Sequence, residues 1–513
     1  MKLYLFAIGG TGARVVRSLT MMLASGIDGL DSSVEIVPVI IDYDLSNADK
    51  TRTLNLLQNY KQIHESLYPT KGVVYNDHFF MTTLTSLKNV GVQDGNDVKD
   101  DFQIYFGPTS QNTTFAKYLD LQGMQTNPAL KATCDLLESL YDDSDQVDPN
   151  TELNFDLTVG FKGNPNIGNV VFHDLRSTPE LQRFFSTFDP LNDKVFIVSS
   201  IFGGTGSSGF PELVKAIRTT SKSNIATQAK IGSCVVLPYF KLQKPMEAAA
   251  IDDESFNAKA VSALSYYSNN INKLVNSMYY VADDNTGLYN YSEGSVGQEN
   301  RAHVAEFVAA SSIIHFLLDE HVTPDSHNAF EFGIKDACLS EEIKCSEFHP
   351  QTHSQILEDL SILVIASKYY KDVICGERDE ISNTTAYYNK FELGKKLHRG
   401  VHQLLDEFIN SDGVDKEEKS VSVGLWGLYP WLCELREHTH KLHLYNLRKE
   451  DNLNYIIVGN PQVRKNIFSR KPPLTDDNFA AMMNEECKNS TDVGDLEFFK
   501  VLRTVSEKCY KKI

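Results

Sequence analysis

The sequence predicts an α/β fold: a parallel sheet flanked by helices, then a central helix and a mostly helical α+β C-terminal region. Over about the first 320 residues, short apolar runs typical of buried strands alternate with amphipathic helical patterns. Beyond that point the chain is more polar and more helical, with one obvious late strand at 453–458. The predicted domain boundaries are 1–299 for the α/β domain, 300–318 for the central helix and 319–513 for the C-terminal domain.

The composition disfavours several classes of protein. Lys+Arg 49 against Asp+Glu 68 gives a formal net charge of −19, whereas nucleic acid and anionic lipid favour a basic surface. No run approaches the roughly 20 apolar residues of a membrane span. The apolar start of the chain breaks at residues 9–12, which fits a buried strand better than a signal peptide. The 8 cysteines contain no C-x-x-C pair, so free thiols and a cytoplasmic location are expected.

The first segment has the order of a parallel βαβ unit. A strand over 3–8 leads through the glycine turn 9–12 into a helix over 13–23. A second strand over 34–41 ends at Asp42-Tyr43-Asp44. From about 54 to 153 the pattern blurs, and this stretch is interpreted as an insertion.

Alternation returns after the predicted insertion. A strand at 154–159 and a turn at 160–168 precede a buried strand at 194–200. A glycine loop at 202–209 follows, and Pro211 fits the first turn of the next helix. Later elements are predicted in the order strand, long helix, strand and nearly all-apolar helix, at 231–237, 258–278, 279–282 and 302–318.

The glycine loop carries the strongest chemical signal in the chain. Its sequence is Gly203-Gly204-Thr205-Gly206-Ser207-Ser208-Gly209. Glycines let backbone N–H groups approach an anion without a Cβ clash, hydroxyls add donors, and the following helix directs its positive end to the same place. The loop predicts an oligophosphate site, with a tight turn that binds nothing as the structural alternative.

The loop is neither a Walker loop nor a Rossmann G-x-G-x-x-G turn. It resembles the tubulin/FtsZ signature Gly-Gly-Gly-Thr-Gly-Ser/Thr-Gly, with Phe202 in place of the first glycine. Further similarities to the family follow in chain order over about residues 1–320. Gly9-Gly10-Thr11-Gly12 resembles its first phosphate loop, and Asp42 with Asp44 resembles its acidic turn. Gly163-Asn164 within 160–168 resembles its Gly-x-Gly-Ala-Asn-Pro loop, and 235–240 resembles its strand ending in Pro-Phe.

The resemblance implies a tubulin/FtsZ-like nucleotide-binding domain of a divergent bacterial or phage protein. It implies GTP or GDP with Mg²⁺ (ATP is not excluded), GTPase activity, and head-to-tail assembly into filaments. No metal site apart from the nucleotide's Mg²⁺ is predicted. The phosphates are expected over Gly9, Gly10, Thr11, Gly12, Gly163, Asn164, Gly203, Gly204, Thr205, Gly206, Ser207 and Ser208, with Asp42 and Asp44 near the nucleotide.

Two positions depart from the family or allow a second reading. Asn300 lies just before the amino end of the central helix. By resemblance it is the predicted base-reading residue, and a helix cap is the alternative. Where FtsZ has asparagines that read guanine, this chain has Ala13 and Arg14. The preference for guanine therefore stays open, and Arg14 is predicted to meet a phosphate.

The acids that hydrolyse GTP in the family follow its central helix in the spacing Asn-x-Asp-x-x-Asp. That spacing is not recognisable here. Asp319, Glu320 and Asp325 occupy the corresponding stretch, with solvated loop carboxylates as the plainer interpretation.

Two alternative functions remain at this level. One is a nonpolymerising nucleotide-binding sensor or scaffold of a bacterial regulatory or defence system, which would present its C-terminal region to a protein partner. The other is an NAD(P)-dependent oxidoreductase, in which residues 9–12 form a degenerate Rossmann turn and Asp42 or Asp44 binds the ribose. The second leaves the loop at 203–209 unexplained.

Overall fold

The structure is a computed structural model, and its description covers the following residues: 1–44, 47–70, 72–91, 98–107, 113–141, 152–161, 164–243, 253–283, 288–290, 300–331, 342–343, 350–376, 385–410, 425–437, 441–447, 453, 456–458 and 474–513. Within these residues the strands are β1 Lys2–Ile8, β2 Glu35–Ile41, β3 Thr83–Leu84, β4 Gln103–Ile104, β5 Lys194–Ser200, β6 Lys230–Val236, β7 Lys241–Gln243, β8 Ser277–Val281, β9 Leu288–Asn290, β10 Asn328–Glu331, β11 Glu342–Ile343 and β12 Lys441–Leu442.

The helices in the same residues are α1 Gly9–Ala24, α2 Ala48–Leu67, α3 Phe115–Tyr118, α4 Leu121–Thr126, α5 Lys131–Tyr141, α6 Pro165–Val171, α7 Pro179–Thr187, α8 Gly204–Arg218, α9 Ser223–Gln228, α10 Asp253–Asn270, α11 Val304–Leu318, α12 Pro350–Tyr369, α13 Ala386–Lys390, α14 Leu393–Lys396, α15 Gly400–Asn410, α16 Leu428–Glu434, α17 Asp476–Asn489 and α18 Asp495–Tyr510.

In the described part of the chain, eight strands form one sheet in the order β10-β8-β6-β5-β1-β2-β3, with β4 also paired to β2. Every pairing in this sheet is parallel. All seven residues of β5 are buried, as expected for a central strand with helices on both faces. The predicted parallel sheet flanked by helices is confirmed.

The two faces of the sheet pack against different helices. Phe6 of β1 contacts Phe184 of α7, with ring centroids 5.1 Å apart. On the other face, Phe196 of β5 contacts Phe316 of α11 at 5.4 Å. The opposite end of α11 stacks Phe307 on Trp431 of α16 at 6.1 Å. The all-apolar helix predicted at 302–318 therefore lies between the sheet and the C-terminal region, which explains its lack of a polar face.

The C-terminal region is mostly helical, as predicted, and it packs on α1 and α2. The indole Nε1 of Trp431 donates to Ser18 Oγ at 3.2 Å, and Asn59 Nδ2 donates to the Leu404 carbonyl at 3.0 Å. Arg503 of α18 donates to the carbonyls of Ser25 and Gly26, just beyond the end of α1. Helices α1 and α2 are thus covered along their lengths by chain from beyond residue 400.

Both glycine segments were expected as loops but are the first turns of helices. Helix α1 begins at Gly9 and α8 at Gly204, so Pro211 lies inside α8 and not at its start. A proline at this position cannot donate to the carbonyl four residues earlier. That carbonyl, of Ser207, instead accepts from the Tyr267 hydroxyl of α10 at 3.1 Å.

The structure differs from the prediction where the sequence pattern is weak. Of the predicted insertion 54–153, residues up to 67 belong to α2, while β3 and β4 pair with β2 in the main sheet. The strand predicted at 154–159 is wrong, because two short 3₁₀ turns occupy this stretch. At the strand predicted at 453–458, the described residues contain an isolated bridge between Tyr445 and Ile457.

Over the residues described above, the search for a helix with both the length and the apolarity needed to cross a bilayer finds none.

A buried lysine caps the C-terminal end of α11. Lys194 Nζ donates to the carbonyls of Phe316, Leu317 and Asp319 at 3.0, 3.1 and 2.7 Å. We expect Lys194→Met to lower the free energy of unfolding by about 1.5–3 kcal/mol, because these charge-assisted bonds have no replacement. The control is Lys230→Met. Lys230 is the register partner of Lys194 on β6, and its ammonium makes an exposed hydrogen bond to the Leu191 carbonyl. Urea titration of both variants is the measurement, and equal losses would contradict the capping role.

Candidate phosphate-binding site

The strand order creates a crevice between β1 and β5. From β1 the chain continues to β2 on one side, and from β5 it continues to β6 on the other. Open α/β sheets bind ligands at such a switch point, beyond the carboxyl ends of the strands. The two glycine segments, 9–12 after β1 and 203–208 after β5, both begin there.

The two glycine segments touch each other. A Cβ on Gly9 would lie 3.5 Å from Thr205 Cβ and 3.6 Å from the Gly206 nitrogen, and Gly9 has a φ of +74°. A Cβ on Gly206 would lie 2.6 Å from the Ser200 carbonyl oxygen. Glycine is favoured at position 9 by the positive φ and at position 206 by the close approach to the β5 backbone. The loops predicted separately from the sequence therefore form one surface.

Helices α1 and α8 both direct their amino ends toward this surface. Neither N-cap residue, Ile8 or Gly203, makes a side-chain cap hydrogen bond, and neither helix has an acidic residue in its first turn. Helix ends of this kind normally have Ser, Thr, Asp or Asn as a cap. Two positive helix ends without such caps suit an anion, above all an oligophosphate.

The hydroxyl groups of the second segment differ in availability. Ser208 Oγ is buried and donates to the Gly204 carbonyl at 2.6 Å, with Pro165 O at 3.0 Å. Ser207 Oγ donates to the Gly203 carbonyl at 2.5 Å. Among the residues described, the half-buried Thr205 has no hydroxyl partner. Thr205 is consequently the hydroxyl best placed to donate to a ligand, while Ser207 and Ser208 hold the loop.

Part of the third predicted phosphate segment lies within the described residues. Gly163 lies outside the described residues. Asn164 caps α6, its Oδ1 accepting from the Asn166 nitrogen at 2.9 Å. Helix α6 packs closely on α8, because a Cβ on Gly168 would lie 2.3 Å from Ser208 Oγ. The amino end of α6 thus lies beside that of α8.

Asp42 and Asp44 follow β2, one strand from the first glycine segment. The register pairs Ile8 with Ile41, so Asp42 follows β2 at the level where Gly9 follows β1. Both carboxylates are buried. Asp42 Oδ1 accepts from the Asp44 nitrogen at 3.1 Å, and Lys50 Nζ donates to the Asp44 carbonyl. Burial raises the pKa of Asp42 to about 7.

The raised pKa of Asp42 predicts a pH dependence of stability. The unfolded carboxyl ionises near pH 4 and the folded one near pH 7. Between these values the folded state holds more protons, so stability falls as pH rises and then levels off. Asp42→Asn keeps an acceptor for the Asp44 nitrogen and removes the titration. We expect this variant, melted without nucleotide or Mg²⁺, to gain stability over the parent between pH 4 and 7. A stability difference between the two proteins that does not change with pH would contradict the raised pKa of Asp42.

Arg14 lies beneath the first glycine segment. Its side chain is 3% exposed and donates, among the described residues, to Glu306 at 2.5 Å, Tyr239 at 2.6 Å, Thr11 at 3.2 Å and Asp49. The structure thus directs Arg14 toward α2 and α11. A phosphate contact by Arg14, predicted from the sequence, would require these bonds to break.

Asn300 lies where the chain approaches α11, and it is bound to Asp49. Its backbone nitrogen donates to Asp49 Oδ1 at 2.9 Å and its side-chain Nδ2 to Oδ2 at 3.1 Å. The α11 cap is formed instead by His303 and Glu306, which make a reciprocal capping box. Asn300 is therefore not the N-cap, and its role as the base-reading residue stays a prediction.

The residue that joins Arg14 to Asn300 is Asp49, which the sequence did not reveal. Asp49 is fully buried between Arg14 and Arg52. Burial alone would raise the pKa of Asp49, but the two arginines outweigh it and hold that pKa below its usual value. In the sequence, Asp49 resembles an ordinary acid in the first turn of a helix.

Aromatic rings line the carboxyl ends of β5 and β6. Phe202 packs on Tyr239 and Phe240, with ring centroids 5.9 and 5.3 Å apart. Tyr239 also contacts His303 at 4.8 Å. This cluster forms the wall of the crevice nearest to α11.

Asp319, Glu320 and Asp325 lie at the opposite end of the sheet. Lys194, which begins β5, contacts the Asp319 carbonyl, whereas Gly203 follows the end of β5. A strand of 7 residues spans roughly 20 Å at about 3.3 Å per residue. These acids cannot reach the glycine segments of their own chain.

Comparisons with known proteins give little further information. No protein-family model matches the chain, and no curated protein matches it. Among solved structures, the chain is similar to CetZ from Methanosaeta thermophila strain DSM 6194, with 11% sequence identity and a TM-score of 0.26. The matched part covers 55% of this chain and 46% of that one, so the chain spans about half the length of that structure. Function is therefore inferred from the residues and their geometry alone.

Proposed function

We propose that this chain is a tubulin/FtsZ-like protein that binds GTP with Mg²⁺ at the crevice between β1 and β5. The observation that carries the proposal is the meeting of two helix ends without side-chain caps, each begun by glycines, at the switch point of a parallel sheet. The phosphates would contact the backbone of both segments and the Thr205 hydroxyl. An oxidoreductase would use only the first segment, so it is the weaker proposal.

The residues near the crevice suit a magnesium ion carried by the nucleotide. Asp42 is buried, and burial raises its pKa although the Lys50 ammonium lies near it. Asp42 and Asp44 would hold the ion directly or through water, since Mg²⁺ prefers oxygen ligands and keeps several waters. The ion would neutralise charge on the phosphates.

The position of the acids determines how hydrolysis would occur. Asp319, Glu320 and Asp325 lie at the other end of the sheet from the phosphate segments, so they would act on nucleotide held by a second copy. A head-to-tail contact of this kind is heterologous and continues into a filament unless it closes into a ring. GTPase activity in this chain would therefore depend on assembly.

The test follows right-angle light scattering and phosphate release together, with GTP, GDP or ATP plus Mg²⁺. A GTP-dependent rise above a critical protein concentration, accompanied by phosphate, supports a polymerising GTPase. Flat scattering with retained binding supports the nonpolymerising sensor, whose C-terminal region would meet a protein partner. Absence of any nucleotide binding overturns the proposal.

A triple variant separates binding from hydrolysis. Asp319→Asn, Glu320→Gln and Asp325→Asn together should leave the affinity for GTP unchanged, because these residues lie far from the crevice, and should abolish phosphate release. An equal loss of affinity would mean that the acids act in the site of their own chain.

A further inference from the structure

A carboxylate from the C-terminal region contacts α1, α2 and the segment that leads into α11. Glu434, the last residue of α16, accepts from Arg17 at 2.6 and 3.1 Å and from Arg52 at 3.3 Å. It also accepts from the backbone nitrogen of Ala302 at 2.8 Å. One side chain therefore joins α1, α2 and the segment that leads into α11.

Arg52 extends this contact to Asn300. Its Nη2 donates to the Asn300 carbonyl and, at 2.6 Å, to Asp49 Oδ1. Asp49 in turn accepts from both nitrogens of Asn300. Asn300 is held on one side by Asp49 and Arg52, while Ala302, two residues later, is held by Glu434.

These contacts fix the orientation of the Asn300 amide. An ionised carboxylate only accepts hydrogen bonds, so the group that faces Asp49 is Nδ2. Oδ1 consequently faces away from Asp49 as an acceptor. Near the amino end of α11, this acceptor matches an N–H donor on a nucleobase. The amino group of guanine is such a donor, and adenine has none at that position.

We propose that Glu434 is a positioning residue for nucleotide recognition, which orients Asn300 toward the base through Ala302 and Arg52. This inference rests on the proposed nucleotide-binding function. The proposal gives the C-terminal region a role in recognition of the base, which the phosphate segments do not contact. Glu434 does not touch the ligand itself.

Glu434 belongs to a network of opposite charges. Among the described residues of this network, three guanidinium groups (Arg14, Arg17 and Arg52) face three carboxylates (Asp49, Glu306 and Glu434). Arg17 and Arg52 are almost fully buried. Without Glu434, Arg52 loses one of the two carboxylates that it contacts among the described residues, and the segment at 300–302 loses one of its anchors.

The experiment measures affinity by calorimetry for two probes, GTP and inorganic tripolyphosphate, each with Mg²⁺. Tripolyphosphate occupies the phosphate segments and has no base. We expect Glu434→Ala to weaken GTP about tenfold, roughly the effect of one lost charge-assisted hydrogen bond, and to leave tripolyphosphate within about twofold. Glu434→Gln keeps an acceptor for the Ala302 nitrogen, so a smaller loss is expected.

The matched control is Arg503→Met. It also breaks a buried contact between the C-terminal region and α1, but at the far end of that helix, with Ser25, Gly26 and Asp359. This variant should lose thermal stability and bind both probes as the parent does. Asn300→Ala should reproduce the pattern of Glu434→Ala.

The outcomes separate the two proposals. If the parent protein binds neither probe, the proposed function itself fails. If the parent binds GTP and Glu434→Ala binds it equally well, the positioning role is overturned. Equal losses for GTP and tripolyphosphate would also overturn it, because they would place the effect of Glu434 at the phosphates.

Discussion

Gly206→Ala is expected to abolish measurable nucleotide binding, with an affinity loss of about 100-fold or more, equivalent to about 2.8 kcal/mol. The added Cβ would lie 2.6 Å from the Ser200 carbonyl oxygen and 2.9 Å from the Ser200 nitrogen. Both are backbone atoms of the sheet, so the first turn of α8 must move. That movement displaces the N–H groups proposed to contact the phosphates.

A neighbouring glycine gives the control for this substitution. In the described part of the chain, a Cβ on Gly203 would meet only the Ser200 hydroxyl, at 3.1 Å, and a hydroxyl can rotate away. Gly203→Ala should therefore cost less than about tenfold in affinity, or 1.4 kcal/mol. Binding is measured by calorimetry with GTP and Mg²⁺, and circular dichroism establishes that each variant is folded.

Two outcomes would count against the phosphate site. Full affinity in a folded Gly206→Ala variant would mean that the second segment does not hold the ligand. If that variant does not fold, Thr205→Val tests the same turn by removing a single hydroxyl at nearly constant volume. Unchanged GTP affinity in Thr205→Val would argue against the hydroxyl as a ligand.

Elements with a strong hydrophobic pattern could be predicted from the sequence. Strands β1, β2 and β5 and helix α11 are long apolar runs, and burial on both sides leaves them no polar face. The paired strands β3 and β4 have two residues each, too few for any periodicity. The starts of α1 and α8 were placed too late because glycine is a poor helix former, although at these positions close backbone contact requires it.

The candidate site was predictable in its glycines and not in its charges. The two glycine segments are continuous in sequence, so their composition alone indicates an anion site. The ion pairs around Arg14 join residues that are distant in the chain, such as Glu306, 292 residues away. Glu434 lies 382 residues from Arg52. No local pattern reveals such partners, because folding alone brings them together.

The second large effect is expected for Asp49→Asn, which should lower the free energy of unfolding by about 3–5 kcal/mol, the usual cost of breaking a buried ion pair. The carboxylate is fully buried, and both oxygens accept from arginines. In the variant, an amide N–H₂ group faces donors, and two buried guanidinium groups lose their shared partner. Chemical denaturation at pH 7 measures the loss.

The control for Asp49 is an exposed ion pair of similar chemistry. Lys61 and Asp100 lie 3.1 Å apart at the surface, and Asp100 is 42% exposed. Asp100→Asn should cost less than about 1 kcal/mol, because water and salt screen such pairs. A loss at Asp49 as small as this would mean that solvent reaches the network and that its charges do not depend on each other.

The pH dependence of the Asp49 effect tests its electrostatic origin. The folded pKa of Asp49 lies below its ordinary value, so its contribution to stability is complete above about pH 4, where the unfolded carboxyl is also ionised. The contribution is lost as pH falls through the lower, folded pKa. The deficit of Asp49→Asn should therefore be constant between pH 5 and 7 and shrink below about pH 4. A deficit that persists unchanged into acid would instead identify packing around the amide as its cause.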